Sequence, residues 1–229
     1  SVYQKGLPSL SQLYNIEPAI ITKIYSADGK ILQEFYNERR ILIPLQKIPP
    51  YLIDALISTE DKRFYQHWGV DLFGIARAFV SNLLKGEIVQ GGSTITQQLG
   101  RTLFLTREKT LTRKIKEALT AIKIERTYSK EEILELYLNQ SYFGRGAYGI
   151  QAAALTYFNK NVEELAVSDC AILIGLLKAP NRYSPLVSPQ LAWGRRNVVL
   201  ENLADYGTLP QKHADSLQKL PLIISPQTS

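Results

Sequence analysis

The sequence predicts a mainly α-helical domain that carries one short β-hairpin near its N-terminus. Apolar residues recur at helical spacing in about eight segments between Leu45 and Lys219. Strand-like alternation occurs only in the short stretch 20–35. The 229 residues are 45% hydrophobic and 21% charged, an ordinary globular balance that supplies enough apolar side chains for a core.

The first 44 residues are predicted to form an arm followed by the hairpin. Residues 1–18 are polar and contain two prolines, which is typical of a loosely packed linker. Two alternating runs within 20–35 flank the pair Asp28-Gly29, and this dipeptide favours the tight turn of a β-hairpin. The predicted helical domain follows from residue 45.

Proline, glycine and capping residues mark the predicted helix boundaries. Pro49-Pro50 begins a first helix, since a missing N–H costs little in the first turn. Thr94 to Gln97 and Ser129 to Glu132 have the spacing of a capping box and predict two further helix starts. The run 162–177 is apolar nearly all round and is predicted to be a central helix. The other helical segments are 71–85, 111–126, 151–158, 189–206 and 211–219.

Charge and composition disfavour several classes of protein. The net charge of +6 and the pI of about 9.3 favour an anionic partner, such as a phosphorylated substrate, a membrane surface or nucleic acid. The single cysteine, Cys170, excludes an internal disulfide, and two histidines are too few for a His/Cys zinc site. No apolar run reaches the roughly 18 residues of a membrane span. Since the chain starts at Ser1 and contains no Met, we expect a processed or excised chain, from which any anchor could have been cut away.

The most informative stretch is 58–67, at the end of the first predicted helix. Glu60 and Asp61 stand at the C-terminal edge of an apolar helical run, where the helix dipole favours cations over carboxylates. Apolar surroundings at such a position raise the pKa of a carboxyl group, which suits a general acid or base near neutral pH. The alternative is a solvated helix end with Glu60 paired to Lys62 or Arg63, and this stretch alone does not decide between them.

A glycine-rich turn and a basic helix supply the second set of candidates. The turn at 91–98 leads into a capped helix, an arrangement that favours anion binding. Glu117 lies one helical turn after Arg113, so it is either the second acid of a site or a surface ion-pair partner, and on spacing alone we favour the surface pair. The basic residues that strengthen the anion-site interpretation are Arg101, Arg107, Lys109, Arg113, Lys114 and Lys116.

Together these residues predict a basic groove that contains acid/base carboxylates. Such a groove fits a reaction at a sugar whose leaving group or recognition handle is a phosphate. His67 has no evident orienting partner for a Ser-His-Asp triad, and the sequence contains no Walker-type loop. Nucleic-acid binding is the competing interpretation of the charge. It is weakened because no nucleic-acid-reading module is recognisable and no aromatic residues alternate with the basic ones.

Five motifs follow one another along the chain. They are Glu60-Asp61-x-x-Phe64-x-x-His67-x-Gly69, Gly92-Ser93-Thr94-x-Thr96-Gln97-Gln98, Arg113-Lys114-x-x-Glu117, Lys130-x-x-Ile133-Leu134-Glu135-x-Tyr137-Leu138-Asn139 and Arg195-Arg196-x-x-Val199-Leu200. In this order they resemble the motifs of the peptidoglycan glycosyltransferases of family 51, the lipid II polymerases of bacterial cell-wall synthesis. The resemblance covers roughly residues 45–205. The hairpin and the tail after Gly207 resemble the segments that flank this domain in bifunctional class A penicillin-binding proteins.

The resemblance implies three regions and an architecture. Residues 1–44 are the N-terminal arm and hairpin, 45–206 the glycosyltransferase domain, and 207–229 a connector toward a C-terminal transpeptidase domain that is missing here. The implied fold is all-α, two-lobed and lysozyme-like, with a long cleft near the membrane surface. Apolar residues of the helix 71–84, Phe73 and Phe79 among them, are then expected to contact lipid as well as core.

The implied activity is polymerisation of lipid II into glycan strands. The donor glycan passes from its lipid pyrophosphate to the 4-hydroxyl of the GlcNAc on an acceptor lipid II, with inversion, and undecaprenyl pyrophosphate leaves. The implied location is the extracytoplasmic face of the bacterial inner membrane. The expected partners are lipid II, the growing glycan strand, the membrane surface and other proteins of cell-wall synthesis, and not nucleic acid.

Roles follow from the motif positions. Glu60 becomes the general base, and Glu117 a second functional acid that supports the donor pyrophosphate directly or through a divalent cation, Mg²⁺ or Mn²⁺. This role replaces the surface pair favoured on spacing alone. Arg77 is the candidate for holding the acceptor's phosphates. The implied diphosphate contacts are Arg101, Lys109, Arg113 and Lys116. The other implied substrate-binding residues are Asp61, Phe64, His67, Gly92, Ser93, Thr94, Thr96, Gln97, Gln98, Tyr137 and Asn139, of which Ser93, Gln97 and Gln98 line the sugar-binding part of the cleft.

Two departures and two alternatives accompany this resemblance. Arg101 stands where Lys is usual and Lys109 where some members have Arg; each exchange keeps the charge, changes its geometry and is expected to retune donor affinity.

A lysozyme-like hydrolase of the same polymer would use Glu60 as general acid and water as acceptor. A non-catalytic basic module would bind membrane or nucleic acid and would leave the placement of Glu60 unexplained.

Overall fold

A computed structural model describes residues 22–25, 31–35, 41–85, 92–104 and 110–226 of the chain. Nine α-helices lie within these ranges, so the predicted mainly helical fold class is confirmed. The helices are α1 (Pro50–Glu60), α2 (Leu72–Lys85), α3 (Ile95–Phe104), α4 (Leu111–Thr127), α5 (Lys130–Gln140), α6 (Ile150–Phe158), α7 (Val167–Leu176), α8 (Pro189–Asp205) and α9 (Gln211–Lys219).

Two short strands precede the helices. β1 (Thr22–Tyr25) and β2 (Ile31–Phe35) pair antiparallel, with Thr22 opposite Phe35 and Tyr25 opposite Ile31. They occupy the segment predicted as a hairpin, while its Asp28-Gly29 turn lies outside the described residues. Short 3₁₀ turns then interrupt the helical part of the chain at Leu45–Lys47, Phe64–Gln66 and Val162–Glu164.

The core is centred on α7, in which all eight residues from Asp169 to Leu176 are buried. This helix packs against α1 on one side and α8 on the other. Cys170 is fully buried within it, where it packs as a small apolar side chain, and burial raises the pKa of its thiol to about 12.

The predicted helix 162–177 is divided in two, which corrects that boundary. The run begins with a 3₁₀ turn, Val162–Glu164, and α7 starts only at Val167. Capping explains the break, because the Asp169 carboxylate accepts the Ala166 N–H at 3.1 Å. An acidic residue inside an apolar run therefore marks a helix start that hydrophobic spacing does not reveal.

Both predicted capping boxes are present. The Thr94 hydroxyl accepts the Gln97 N–H at 3.1 Å, and the Gln97 side chain accepts the Thr94 N–H at 3.0 Å. Ser129 and Glu132 make the equivalent exchange at the start of α5. These reciprocal bonds fix the starting points of α3 and α5, the two helices that carry Gln98 and Tyr137.

Helix α3 lies against both α4 and α5, and a glycine permits its close approach to α4. A Cβ atom on Gly100 would lie 3.0 Å from Thr120 Cγ2, tighter than nearly all real contacts of this kind. The contact keeps α3 packed between its neighbours. The polar side chains that α3 presents are therefore held on a rigid support.

The segment after Gly207 packs on the helical body. Leu209 and Ala214 belong to the same apolar core as α7, and α9 lies on α8. The fully buried guanidinium of Arg196, on α8, donates to the carbonyl oxygens of Gln218 at 3.2 Å and Leu220 at 2.8 Å. Burial lowers the pKa of Arg196. Residues predicted as a connector thus form part of the packed structure as far as Ile224.

Candidate active site

The C-terminal end of α1 opens into a cleft of about 690 Å³. Glu60 is the last residue of α1, as predicted, and lies in this cleft. Among the residues that the structure describes, five cationic side chains line the cleft against three carboxylates, which makes it suited to a phosphorylated ligand. The cations are Lys62, Arg77, Arg101, Lys178 and Arg195, and the carboxylates are Glu60, Asp61 and Asp71.

Two groups hold the Glu60 carboxylate, whose side chain is 16% exposed. Gln98 Nε2 donates to Glu60 Oε2 at 3.0 Å, and Arg195 Nη2 lies 3.9 Å from Glu60 Oε1. The Tyr137 hydroxyl in turn donates to Gln98 Oε1 at 3.0 Å. Burial, with a further contribution from the Glu60 charge, raises the pKa of Tyr137, so its hydroxyl keeps its proton. The carboxylate predicted as a base is therefore oriented and accessible.

Arg195 reaches Glu60 because α7 carries a glycine beneath it. A Cβ atom on Gly175 would lie 3.1 Å from Arg195 Cγ, so any larger residue would displace the arginine stem. Arg195 Nε is buried without a hydrogen-bond partner in the described part of the chain. The sequence named Arg195 only as part of a motif and missed its place beside Glu60. Lys178, also in the cleft, was missed because an isolated lysine carries no local signal.

Asp61 and His67 form a buried pair that supports the cleft. His67 Nε2 lies 3.0 and 2.9 Å from the two oxygens of Asp61, and His67 Nδ1 accepts the Gly69 N–H at 3.1 Å. Since Nδ1 is an acceptor, the ring proton sits on Nε2 and is donated to Asp61. Asp61 also accepts the Ile95 N–H at 3.1 Å, at the start of α3. The orienting partner that sequence analysis did not find for His67 is thus Asp61.

The residues of the glycine-rich turn separate into two groups. Gly92, Ser93 and Thr94 line the cleft. Thr94 Oγ1 also donates to the Gly69 carbonyl at 2.7 Å, and Thr96 Oγ1 donates to Glu125 Oε1 at 2.7 Å. Thr96 and Gln97 are buried, with partners inside the protein. The first three residues can meet a ligand, whereas the other two hold the turn.

Glu117 is only 1% exposed, so the ion pair predicted from its spacing is buried and not a surface pair. Arg113 Nη1 binds one of its oxygens, and Lys114 Nζ binds the other at 2.7 Å. Lys114 also donates to Ser93 Oγ at 2.6 Å and so joins Glu117 to the glycine-rich turn. Sequence analysis placed Lys114 among the basic residues but gave it no role in the site.

A divalent cation does not fit beside Glu117 in this arrangement, because both carboxylate oxygens are already bound by cationic side chains. Within the described ranges no group of three His, Cys, Asp or Glu side chains is arranged to hold a metal ion. The positive charge that lines the cleft in the described structure comes from arginine and lysine side chains.

The remaining predicted site residues lie at different depths. Arg77 and Arg101 are exposed and line the cleft, whereas Lys116 is half-buried on α4. Phe64 is fully buried beneath Lys130, whose Nζ lies 4.4 Å from the ring centre. Asn139 is buried; its amide exchanges hydrogen bonds with the backbone of Ile43 at 3.0 and 2.9 Å. Lys109 lies outside the described residues.

None of the helices in the described part of the chain combines the length and apolarity that crossing a bilayer requires. Several apolar side chains of α2 nevertheless face solvent. Leu72 is 63% exposed, and Phe73 and Leu83 are each 71% exposed. Helix α2 thus presents an apolar face beside a cleft that contains Arg77 from the same helix.

Comparison with known proteins gives a consistent result. A protein-family model described as Transglycosylase matches residues 28–204. The chain is 47% identical over 216 residues to penicillin-binding protein 1A of Aquifex aeolicus, covering 94% of this chain and 30% of that protein. It is 45% identical over 213 residues to penicillin-binding protein 1A of Neisseria flavescens, covering 93% of this chain and 27% of that protein.

A solved structure gives a similar result. The crystal structure of penicillin-binding protein 1A from Haemophilus influenzae matches with a TM-score of 0.52 and 29% sequence identity, over 93% of this chain and 22% of that chain. The chain therefore spans less than a third of the length of these relatives.

Proposed function

This chain belongs to the transglycosylase family, glycosyltransferase family 51, and on that basis we propose that it polymerises lipid II into peptidoglycan glycan strands. The observation that carries the proposal is the Glu60 carboxylate, held by Gln98 at 3.0 Å in a cleft with an excess of cationic side chains. Glycosyl transfer from a pyrophosphate requires a general base for the acceptor hydroxyl and positive charge around the leaving group.

The proposed reaction begins at the acceptor's 4-hydroxyl. Glu60 takes the proton from this hydroxyl as its oxygen forms a bond to the anomeric carbon of the donor sugar. The bond from that carbon to the donor's pyrophosphate breaks on the opposite face, so the configuration inverts. The electron pair leaves with undecaprenyl pyrophosphate, and Arg101 and the basic residues of α4 stabilise its growing charge.

Glu117 has a supporting part in this proposal. Bound by Arg113 and Lys114, it fixes two cations beside the glycine-rich turn, where Lys114 reaches Ser93. Arginine and lysine held in this way need no reorganisation when the leaving group's charge develops. We therefore assign Glu117 to organising the donor's pyrophosphate site and not to proton transfer. Arg77 remains the proposed contact to the acceptor's phosphates.

A hydrolase of the same polymer is the second candidate function. It would use Glu60 as a general acid, and water in place of the acceptor. Cleaving a glycan releases a sugar hydroxyl and no phosphate, so it does not account for the five cationic side chains of the cleft. A polymerase therefore accounts for the cationic side chains of the cleft, whereas a hydrolase does not.

Incubating the purified chain with labelled lipid II in detergent tests the proposal, with and without Mg²⁺ or Mn²⁺. We expect ladders of glycan strands in the wild type, with release of undecaprenyl pyrophosphate. Preformed glycan strands supplied without lipid II should stay intact. Shortening of those strands, with lipid II left unconsumed, would identify a hydrolase. Retention of lipid II without conversion would indicate a binding module.

The wider setting is part of the same proposal. We assign the chain to the extracytoplasmic face of the bacterial inner membrane, with lipid II, the glycan strand and cell-wall synthesis proteins as partners. The helical domain is proposed to be the two-lobed, lysozyme-like glycosyltransferase unit, 45–206, between the arm and hairpin at 1–44 and the segment 207–229. In the relatives that carry a transpeptidase, the last segment would lead to it.

The exposed apolar face of α2 gives a prediction about membrane binding. Replacing Phe73, which is 71% exposed, with Ser should weaken binding to vesicles of anionic lipid by about tenfold, the equivalent of one buried aromatic side chain. Vesicle co-sedimentation measures this. Val187, 66% exposed and outside α2, provides the matched control: Val187→Ser should bind as the wild type does. Equal binding by all three proteins would exclude α2 as the lipid-contacting face. The side chain of Phe79 lies outside the described residues.

A further inference from the structure

We propose that Tyr137 is a positioning residue for the general base: its hydroxyl sets the orientation of the Gln98 amide, which then donates to Glu60. This inference rests on the proposed function, because it explains how the proposed base is held. It also gives Tyr137, implied by its motif to bind substrate, a task within the protein itself.

The geometry is a chain of two hydrogen bonds. Tyr137 Oη donates to Gln98 Oε1 at 3.0 Å, and Gln98 Nε2 donates to Glu60 Oε2 at 3.0 Å. A side-chain amide has an acceptor at one end and donors at the other. If the amide turned over, its oxygen would face a Glu60 oxygen, which is a repulsive contact, and the tyrosine hydroxyl would have to turn its proton away to accept from the NH₂ group. The bond from the tyrosine hydroxyl to Gln98 Oε1 thus holds the amide in the orientation that donates to Glu60.

Tyr137 can fill this role because it is buried and keeps its proton. It is 4% exposed, on α5, which packs against α3 where Gln98 lies. Burial raises the pKa of the phenol, so the hydroxyl remains a donor at every pH at which the enzyme would work. Both helices begin at reciprocal capping boxes, which fix the register between the two side chains.

These bonds place the two carboxylate oxygens of Glu60 in different environments. Oε2 is occupied by the amide, whereas Oε1 has no hydrogen bond from the described residues, and Arg195 Nη2 lies 3.9 Å from it, beyond hydrogen-bond distance. Oε1 is therefore the oxygen that receives the proton of the acceptor hydroxyl. With the amide free to rotate, the carboxylate would lose its fixed orientation, and such misplacement lowers the rate without removing any contact to substrate.

A double-mutant cycle tests the assignment on lipid II polymerisation. We expect Tyr137→Phe to lower kcat about tenfold with KM changed less than about twofold, and Gln98→Ala to lower kcat further. The double variant should be no slower than Gln98→Ala alone, because the tyrosine acts only through the amide. Multiplying effects in the double variant, or a change in KM in place of kcat, would overturn the assignment.

The kcat of the single variant Gln98→Ala supplies a second test. Since the tyrosine acts on Glu60 only through the amide, a wild-type kcat in Gln98→Ala would overturn the assignment even where Tyr137→Phe proved too unstable to assay.

Tyr157 provides the matched control. It is fully buried, and its hydroxyl donates to the Phe143 carbonyl at 2.9 Å, outside the cleft. Tyr157→Phe should lose a similar amount of stability and keep the wild-type kcat and KM; an equal loss of kcat would show that Tyr137 acts through stability alone. Wild-type protein that consumes no lipid II would overturn the proposed function and, with it, this inference. An active wild type with independent effects at Tyr137 and Gln98 would overturn only the inference.

Discussion

Replacing Glu60 with Gln is expected to lower the rate of glycan polymerisation by about 10²- to 10⁴-fold, the range that a general base contributes. The glutamine is nearly the same shape, and its carbonyl oxygen can still accept the Gln98 Nε2–H that Glu60 accepts at 3.0 Å. The cleft should therefore keep its structure and its cationic lining. Proton transfer from the acceptor hydroxyl would be lost, while binding of lipid II would be retained.

Two measurements separate this loss from unfolding. Thermal unfolding of Glu60→Gln should match the wild type, and a binding titration with lipid II should give a similar Kd. Glu131→Gln makes the same chemical change on the exposed first turn of α5 and should polymerise normally. If Glu60→Gln made strands at a rate near that of the wild type, the proton would be going elsewhere and the proposed mechanism would fail.

Replacing Asp61 with Ala is expected to destabilise the fold by about 3 kcal/mol, because it leaves buried donors without acceptors. The Asp61 side chain is 3% exposed and accepts from His67 Nε2 at 2.9 Å and from the Ile95 N–H at 3.1 Å. Both donors belong to buried residues and would lose their acceptor. For a chain of this size the loss corresponds to a fall of roughly 6–12 °C in Tm.

Asp205→Ala is the matched control for Asp61→Ala. Asp205 lies on the surface, 58% exposed and 3.8 Å from Lys62, so its removal should change stability by less than about 0.5 kcal/mol. Chemical denaturation of the three proteins measures the difference. Equal stability of Asp61→Ala and the wild type would mean that Asp61 is not a structural residue, and its implied role in substrate binding would then be the better explanation.

Local signals account for the parts of the fold that the sequence predicted well. The capping boxes at Thr94 and Ser129 need only residues three apart, and both form as expected. The placement of Glu60 at a helix end also follows from neighbouring residues, since the apolar run stops there. The division of the run 162–177 was missed because Asp169 acts as a cap in a stretch whose hydrophobic pattern continues through it.

Most of the site could not be predicted, because its contacts join residues far apart in the sequence. Gln98 is 38 positions from Glu60 and 39 from Tyr137, and no periodicity links such separations. The burial of Glu117 likewise depends on tertiary packing. Spacing predicted its pair with Arg113 correctly and its exposure wrongly. The motifs named these residues, and only the packing shows which of them line the cleft and which bond to neighbours inside the protein.

The burial of Arg196 has a consequence for where this domain can be cut. Its guanidinium has no carboxylate among its hydrogen-bond partners in the described structure; it donates to Asn197 and to the backbone carbonyls of Gln218, Leu220 and Pro221. Those carbonyl oxygens accept the hydrogen bonds that water would accept from an exposed guanidinium. A chain shortened before Gln218 would leave the Arg196 guanidinium without these acceptors, and the preceding residue on α8 is Arg195, which lies beside Glu60. The backbone carbonyls of residues 218–221 thus solvate the buried charge of Arg196.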